Sequence, residues 1–172
     1  MHWYWIDRFL LFERKKRARA VKLITLGEDY LHQHFPYFPV MPASLIIEGV
    51  AQTGGLLICE ANGYREKVVL GKLPKFVFHE TVAFPGDTLT YTTDVISLTG
   101  NGAIVSATVH KNERLMAEGE VVFAHLKGGF AQTTLFAEGN MYEMMQLFGA
   151  YEVGVDEEGN PLVDPKFDEI CG

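Results

Sequence analysis

The sequence has few of the residues that build metal or redox centres. It contains two cysteines, Cys59 and Cys171, in 172 residues. Their separation does not match the close spacing of metal-binding pairs, so neither a zinc site nor a disulfide framework is predicted. Cys59 lies in an apolar stretch and is interpreted as a small buried residue, with a catalytic thiol as the alternative.

Motifs that hold cofactors are also missing. The chain has no glycine-rich nucleotide loop and no cluster of metal ligands, and the nearest metal-like spacing, His32-x-His34, lacks a third ligand. The sequence therefore predicts neither a metal nor an organic cofactor.

The distribution of charge and apolar residues excludes two further classes. A net charge of −7 argues against nonspecific binding to nucleic acid. No run of eighteen or more apolar residues occurs, so no membrane span is expected. The opening MHWYWIDRFLLFERKK places aromatic residues before charges, the reverse of a signal peptide, so a cytoplasmic location is expected.

What the chain does contain is ample apolar material, 48% of its residues, which is enough for the core of one domain. The most informative stretch is His32–Ala61. Prolines stiffen its first part, and after Pro42 the residues are apolar on almost every face, which predicts a helix buried on all sides. Glycines inside this helix weaken it, and close approach of a backbone or an acyl chain is the expected reason for them.

Glu48 is the unusual residue of this helix, because a carboxylate is costly to bury without a partner. It either faces a satisfied polar pocket or solvent, or it has a chemical role. His34 precedes it by fourteen residues in the proline-stiffened segment. His34 taken alone is as readily a structural histidine, but the pairing of the two favours function.

The same residues carry a resemblance. The string His34-Phe35-Pro36-x-x-Pro39-Val40-Met41-Pro42-x-x-Leu45-Ile46-Ile47-Glu48-x-x-Ala51-Gln52 resembles the signature of the 3-hydroxyacyl-[acyl-carrier-protein] dehydratases, the FabZ/FabA group. The resemblance implies an α+β hot-dog fold, in which an antiparallel sheet wraps a long central helix. It also implies an obligate homodimer, alone or as a trimer of dimers, in which the His of one subunit faces the acid of the other.

Dehydration of a 3-hydroxyacyl thioester needs one base and one acid. His34 suits the base because its ordinary pKa is near neutrality, and Glu48 suits the acid if burial raises its pKa. Backbone N–H groups of Ala43 or Ser44 at the helix start are expected to stabilise the enolate oxygen. Gln52, one turn beyond Glu48, either orients the carboxyl group or bonds to backbone across the dimer.

The chain departs from the family pattern at three positions. Gln33, Tyr37 and Ala43 stand where the family usually has glycine. Tyr37 is expected to narrow the entrance, whereas Ala43 still supplies an N–H. A glutamate at position 48 rather than an aspartate resembles the FabZ branch, which chiefly dehydrates, whereas the FabA branch also isomerises the double bond.

Strand-like runs follow the helix, separated by turns such as Pro85-Gly86-Asp87, and they predict an antiparallel sheet. An earlier strand is predicted at residues 20–26, and residues 1–13 are interpreted as a short amphipathic segment that packs on the sheet. We expect a hot-dog domain over residues 1–126. Residues 127–172 are expected to form an extension, packed on the same domain or on a partner and partly disordered.

A run of basic residues precedes the first predicted strand, and it is read either as a solvated turn or as a docking patch for the acidic acyl carrier protein. The candidate docking residues are Arg14, Lys15, Lys16, Arg17, Lys72 and Lys75. The sequence thus predicts a 3-hydroxyacyl-[acyl-carrier-protein] dehydratase. A hot-dog acyl thioesterase and a non-catalytic acyl-chain or acyl-carrier binding module are the alternatives.

Overall fold

One seven-stranded sheet and four helices make up the part of the chain that the computed structural model describes, residues 4–33, 37–126 and 140–165. The strands follow the order β3-β6-β5-β4-β2-β1-β7 across the sheet. Their bounds are β1 Arg8–Glu13, β2 Arg17–Leu23, β3 Lys67–Phe78, β4 Thr88–Thr99, β5 Gly102–Lys111, β6 Arg114–Leu126 and β7 Gly154–Val155. The helices are α1 Asp29–Gln33, α2 Ala43–Ala61, α3 Asn140–Leu147 and α4 Ala150–Val153.

The predicted buried helix is α2, and the sheet wraps around it through contacts from β2, β3, β4 and β5. Its 19 residues give a rod of about 28 Å. By length and composition α2 could cross a membrane, but 61% of that stretch is buried within the domain, as in the core helix of a globular fold. Each Leu or Ile side chain that it buries fully contributes about 1.5–3 kcal/mol of transfer free energy.

One face of the central strands β4 and β5 packs against α2. Burial alternates along β5 and along the first half of β4, so every second side chain points at α2. The connections between β4, β5 and β6 are short and the pairing is antiparallel, as predicted. The α+β hot-dog architecture expected from the sequence is therefore confirmed.

The interpretation of residues 1–13 was wrong in one respect, because Arg8–Glu13 is a strand, β1, rather than a segment lying on the sheet. It pairs antiparallel with β2. The register shifts between Phe9 and Leu11, and this irregularity lets both Phe9 and Phe12 be buried although they are three residues apart. A bulged strand does not alternate strictly, so its pattern did not look like a strand. The next strand, β2, also begins three residues earlier than predicted.

The C-terminal residues join the same sheet. Gly154–Val155 pairs in parallel with Phe12 and Glu13, which makes one parallel pair in an otherwise antiparallel sheet. The N–H of Phe9 also donates to the carbonyl of Phe148 at 2.8 Å, and the Phe148 side chain is buried. Part of the predicted extension, residues 127–139 and 166–172, lies outside the described residues, and the expected disorder falls partly there.

Candidate active site

The first turn of α2 carries two open backbone donors. Pro42 is extended and precedes the helix, and its carbonyl accepts from Leu45 and Ile46 at 3.0 and 3.2 Å. Within the described residues, the N–H groups of Ala43 and Ser44 have no acceptor. These donors sit at the positive end of the helix dipole, so they are suited to a developing negative charge.

Glu48 lies in the second turn of the same helix and is half-buried. Burial raises the pKa of its carboxyl group, and among the described residues no ion pair or hydrogen bond offsets that effect. A carboxyl group with a raised pKa keeps its proton closer to neutral pH, which is the property a proton donor needs.

His34 lies outside the described residues, as do Phe35 and Pro36. On either side of this gap the structure describes His32 and Tyr37. The Nε2 atom of His32 lies 2.8 Å from the Leu26 carbonyl, in keeping with a structural role. Tyr37 has φ +70° and a fully exposed side chain. Among the residues described, no group of three or more His, Cys, Asp or Glu side chains is arranged to hold a metal ion.

Gln52 is anchored by the N-terminal segment. Its Oε1 accepts a hydrogen bond from the backbone N–H of Trp5 at 2.8 Å. One of the two roles expected for Gln52 was a hydrogen bond to backbone across the dimer. The bond observed is to backbone, but of the same chain. The contact of Trp5 was not predictable from the sequence, because nothing local in an irregular segment indicates a partner 47 residues away.

Tyr91 of β4 supports the backbone directly after Glu48. A Cβ atom on Gly49 would come within 2.6 Å of the Tyr91 phenolic oxygen, so glycine is required for this approach. Tyr91 is fully buried, its hydroxyl has no partner in the described part of the chain, and burial raises its pKa. The hydroxyl therefore stays neutral, and the ring acts as a wedge under α2.

The predicted docking residues lie on two parts of the sheet. The four in the β1–β2 region are each paired with a carboxylate: Arg14 with Glu60, Lys15 with Glu157, Lys16 with Glu13 and Arg17 with Asp94. Lys72 and Lys75 are exposed on β3, near the opposite edge of the sheet. That any of these six residues binds an acyl carrier protein stays a prediction.

Cys59 has no catalytic setting. It is buried in α2, and burial raises the pKa of its thiol to about 12. The thiolate that nucleophilic chemistry needs is therefore absent at neutral pH, which leaves the structural reading.

A long helix wrapped by an antiparallel sheet defines a hot-dog protein, and solved structures share this architecture. The dehydratase heterocomplex ApeI:P of Xenorhabdus doucetiae matches with a TM-score of 0.63 and 9% identity, over 74% of this chain and 86% of that one. A hypothetical thioesterase of Streptococcus pneumoniae with coenzyme A matches with a TM-score of 0.55 and 8% identity, over 69% and 84%. Such low identities show the fold alone.

Sequence comparison places the chain more narrowly. The family model described as a FabA-like domain matches residues 2–125, so the chain belongs to the FabA-like family. One relative, the 3-hydroxyacyl-[acyl-carrier-protein] dehydratase FabZ of Caldicellulosiruptor saccharolyticus, is 36% identical over 124 residues, covering 69% of this chain and 85% of that protein. Residues 126–172 extend beyond the family match.

Proposed function

We propose that this chain is a 3-hydroxyacyl-[acyl-carrier-protein] dehydratase, a hydro-lyase of fatty acid or related acyl synthesis that acts in the cytoplasm. The observation that carries the proposal is Glu48. It is a half-buried carboxyl group of raised pKa, in the second turn of the central helix of a FabA-like domain. The FabZ relatives are named for this reaction.

The chemistry needs no cofactor. His34 removes a proton from the α carbon of the thioester, and Glu48 gives a proton to the β hydroxyl. The β carbon–oxygen bond breaks, water leaves, and the electron pair of the α C–H bond forms the double bond of the trans-2-enoyl product. The N–H groups of Ala43 and Ser44 face the thioester oxygen, whose negative charge grows as the proton is removed.

The site is completed by a second copy of the chain, which supplies His34 opposite Glu48. An edge for such pairing exists in β3, a 12-residue strand that ends the sheet on one side. An unpaired strand edge offers backbone donors and acceptors to a second strand. The acyl carrier protein is the second partner, and exposed Lys72 and Lys75 are the better docking candidates, since the other four cations are already paired.

The test is turnover of 3-hydroxybutyryl and crotonyl thioesters, followed by enoyl absorbance, across a series of acyl lengths. His34→Ala and Glu48→Gln should each abolish dehydration while the protein stays folded and keeps its oligomeric state. A His34→Ala/Glu48→Gln double variant that still dehydrates would refute the proposal.

Thioesterase activity is the second candidate, favoured at the level of the fold by the likeness to the Streptococcus pneumoniae protein. It releases a free thiol from the acyl thioester, whereas dehydration leaves the thioester intact. A thiol reagent added to the same reactions therefore separates the two activities. Saturable binding without turnover of either kind would point to a non-catalytic acyl-binding module.

A further inference from the structure

An open pocket of about 390 Å³ lies at the C-terminal end of α2. The end of the helix, the β1–β2 turn and the C-terminal extension meet around it. Its charged and amide-bearing residues are Arg14, Lys15, Glu60, Asn62, Arg65 and Glu157. Glu157 lies beyond the family match, so the matched domain does not supply the whole lining. Glu60 is twelve residues beyond Glu48, about 18 Å along the helix, so this pocket is separate from the proposed catalytic site.

One side of the pocket is negative. The Oε1 atom of buried Glu60 accepts from Nε of Arg14 at 2.8 Å, but its Oε2 atom is buried without a partner in the part of the chain that is described. The last turn of α2 contains no basic residue, so nothing within the helix compensates the negative end of its dipole. An ammonium group is therefore favoured at this side.

The opposite sign is supplied by Arg65. It is exposed, and it forms no ion pair with any carboxylate of the described residues. Lys15 adds a second cation, paired with Glu157 through side chains that are 42% and 50% exposed. Such an exposed pair is weak, so it exchanges partners readily. A guanidinium group without a carboxylate partner is suited to bidentate contact with a carboxylate of a ligand.

Asn62 adds an amide to the same pocket. It follows the last residue of α2, and both polar atoms of its side chain are buried with no hydrogen-bond partner among the residues described. Buried polar groups in folded proteins nearly always have partners. The amide oxygen suits an ammonium group and the NH2 group suits a carboxylate. Because both atoms are shielded from solvent, the side chain must turn toward the pocket as a ligand enters.

We propose that this pocket binds a free α-amino acid in its zwitterionic form. The ammonium group lies against Oε2 of Glu60 at the end of α2, the carboxylate is held by Arg65, and the Asn62 amide contacts both groups. A simple anion would meet two carboxylates in the lining, and a simple cation would meet three cationic side chains. A ligand that carries both charges therefore fits the pocket better than either.

The first test is a titration of the whole chain with each of the twenty protein amino acids at pH 7, followed by calorimetry. At least one should bind with a Kd below about 1 mM. For the tightest ligand, acetylation of the amino group or amidation of the carboxylate should each weaken binding by about tenfold or more, since each removes one charge. Failure of all twenty to bind within this limit, or equal binding of either modified compound, would overturn the proposal.

Arg65→Gln removes the proposed carboxylate contact. Arg114→Gln is the matched control, because Arg114 is also exposed but does not line the pocket. Kd should rise by about tenfold or more in Arg65→Gln and stay unchanged in Arg114→Gln. In Arg65→Gln the amidated ligand should bind at least as tightly as the free amino acid, because the missing carboxylate has lost its partner. Equal effects of the two substitutions would overturn the assignment of Arg65.

Asn62→Leu separates binding from folding. Loss of a buried polar group that has no partner should leave the free energy of unfolding unchanged or raise it, while Kd for the amino acid rises about fivefold. Lower stability with unchanged binding would mean that the amide serves the fold, and the proposed contact would be wrong. None of these measurements uses dehydration, so their outcome does not depend on the proposed function.

Discussion

Gly49 of the central helix lies directly against the ring of Tyr91, and a Cβ atom at that position would come within 2.6 Å of the phenolic oxygen. The Tyr91 ring is fully buried, so it cannot turn out into solvent without loss of that burial. The helix position next to Glu48 is therefore set by an aromatic side chain of β4, and the proposed acid depends on a contact with the sheet.

This contact predicts opposite effects for two glycines of one helix. Gly49→Ala should destabilise the domain by about 1–2 kcal/mol, because overpacking costs more than the gain of about 1 kcal/mol in helix propensity. Gly55→Ala is the matched control, since its Cβ would lie 3.6 Å from Phe123, an ordinary contact. Chemical denaturation should show that Gly55→Ala leaves the free energy of unfolding unchanged or raises it. An equal loss of stability in both variants would contradict the role of the Gly49–Tyr91 contact.

The carboxyl group of Glu48 should make stability depend on pH. Its pKa is raised in the folded state, so folding favours the protonated form, and the domain loses stability as pH rises through that pKa. Glu48→Gln removes this cost. We expect the variant to unfold at a higher temperature than wild type at pH 7 and to match it below the unfolded pKa of about 4.3. Thermal scans at several pH values measure the difference, and a Glu48→Gln variant less stable at pH 7 would oppose this account.

Tyr37 and Tyr64 share a left-handed backbone, with φ of +70° and +61°, but they should respond differently to glycine. The Tyr37 side chain is fully exposed, so Tyr37→Gly relieves strain without loss of burial and should stabilise by up to about 1 kcal/mol. The hydroxyl of Tyr64 lies 2.6 Å from that of Tyr151 in a partly buried contact, so Tyr64→Gly should destabilise. Urea denaturation of both variants is the measurement.

If Tyr37→Gly is stabilised but turns over substrate more slowly, the strained tyrosine is retained for function. Unchanged kinetics would mean that this side chain has no part in the reaction. The comparison uses the enoyl absorbance assay at several substrate concentrations, so that kcat and KM are obtained separately.

Cys59 should be unreactive in the folded protein. It is buried, with a thiol pKa of about 12, so a thiol reagent at pH 8 should label it only after denaturation. Cys59→Ala should retain most of the activity and lose about 1 kcal/mol of stability for the missing sulfur atom. If labelling of Cys59 inactivated the native enzyme, the interpretation of Cys59 as a purely structural residue would be wrong.

The central helix was predictable because its signals are local. Pro42 marks its start, and Gly63 marks its end with φ +64° and a bond from its N–H to the Glu60 carbonyl. The residues between them are apolar on almost every face of the helix, so the helix must be buried by some other part of the fold. Strands β4 and β5 were equally predictable, since burial alternates along β5 and along the first half of β4 and a short turn joins them.

What the sequence did not predict depends on contacts between distant residues. The bulge in β1, which disrupts the alternation expected of a strand, exists only in its pairing with β2. The basic residues Arg14 and Arg17 find their carboxylates 46 and 77 residues away. The glycines of α2 were expected to accommodate a backbone or an acyl chain, whereas Gly49 and Gly54 are approached by the aromatic rings of Tyr91 and Phe123.

The sheet is closed on one side by its own chain. Gly154 and Val155 lie along β1, and the N–H of Arg14 donates to the Val155 carbonyl, so this border offers few backbone groups to another molecule. At the other border, no strand among those described covers β3. If two molecules paired through their β3 strands, neither would keep an unpaired β3 edge, and the assembly would stop at a dimer. The C-terminal residues would then act as a terminator that prevents an edge-to-edge filament.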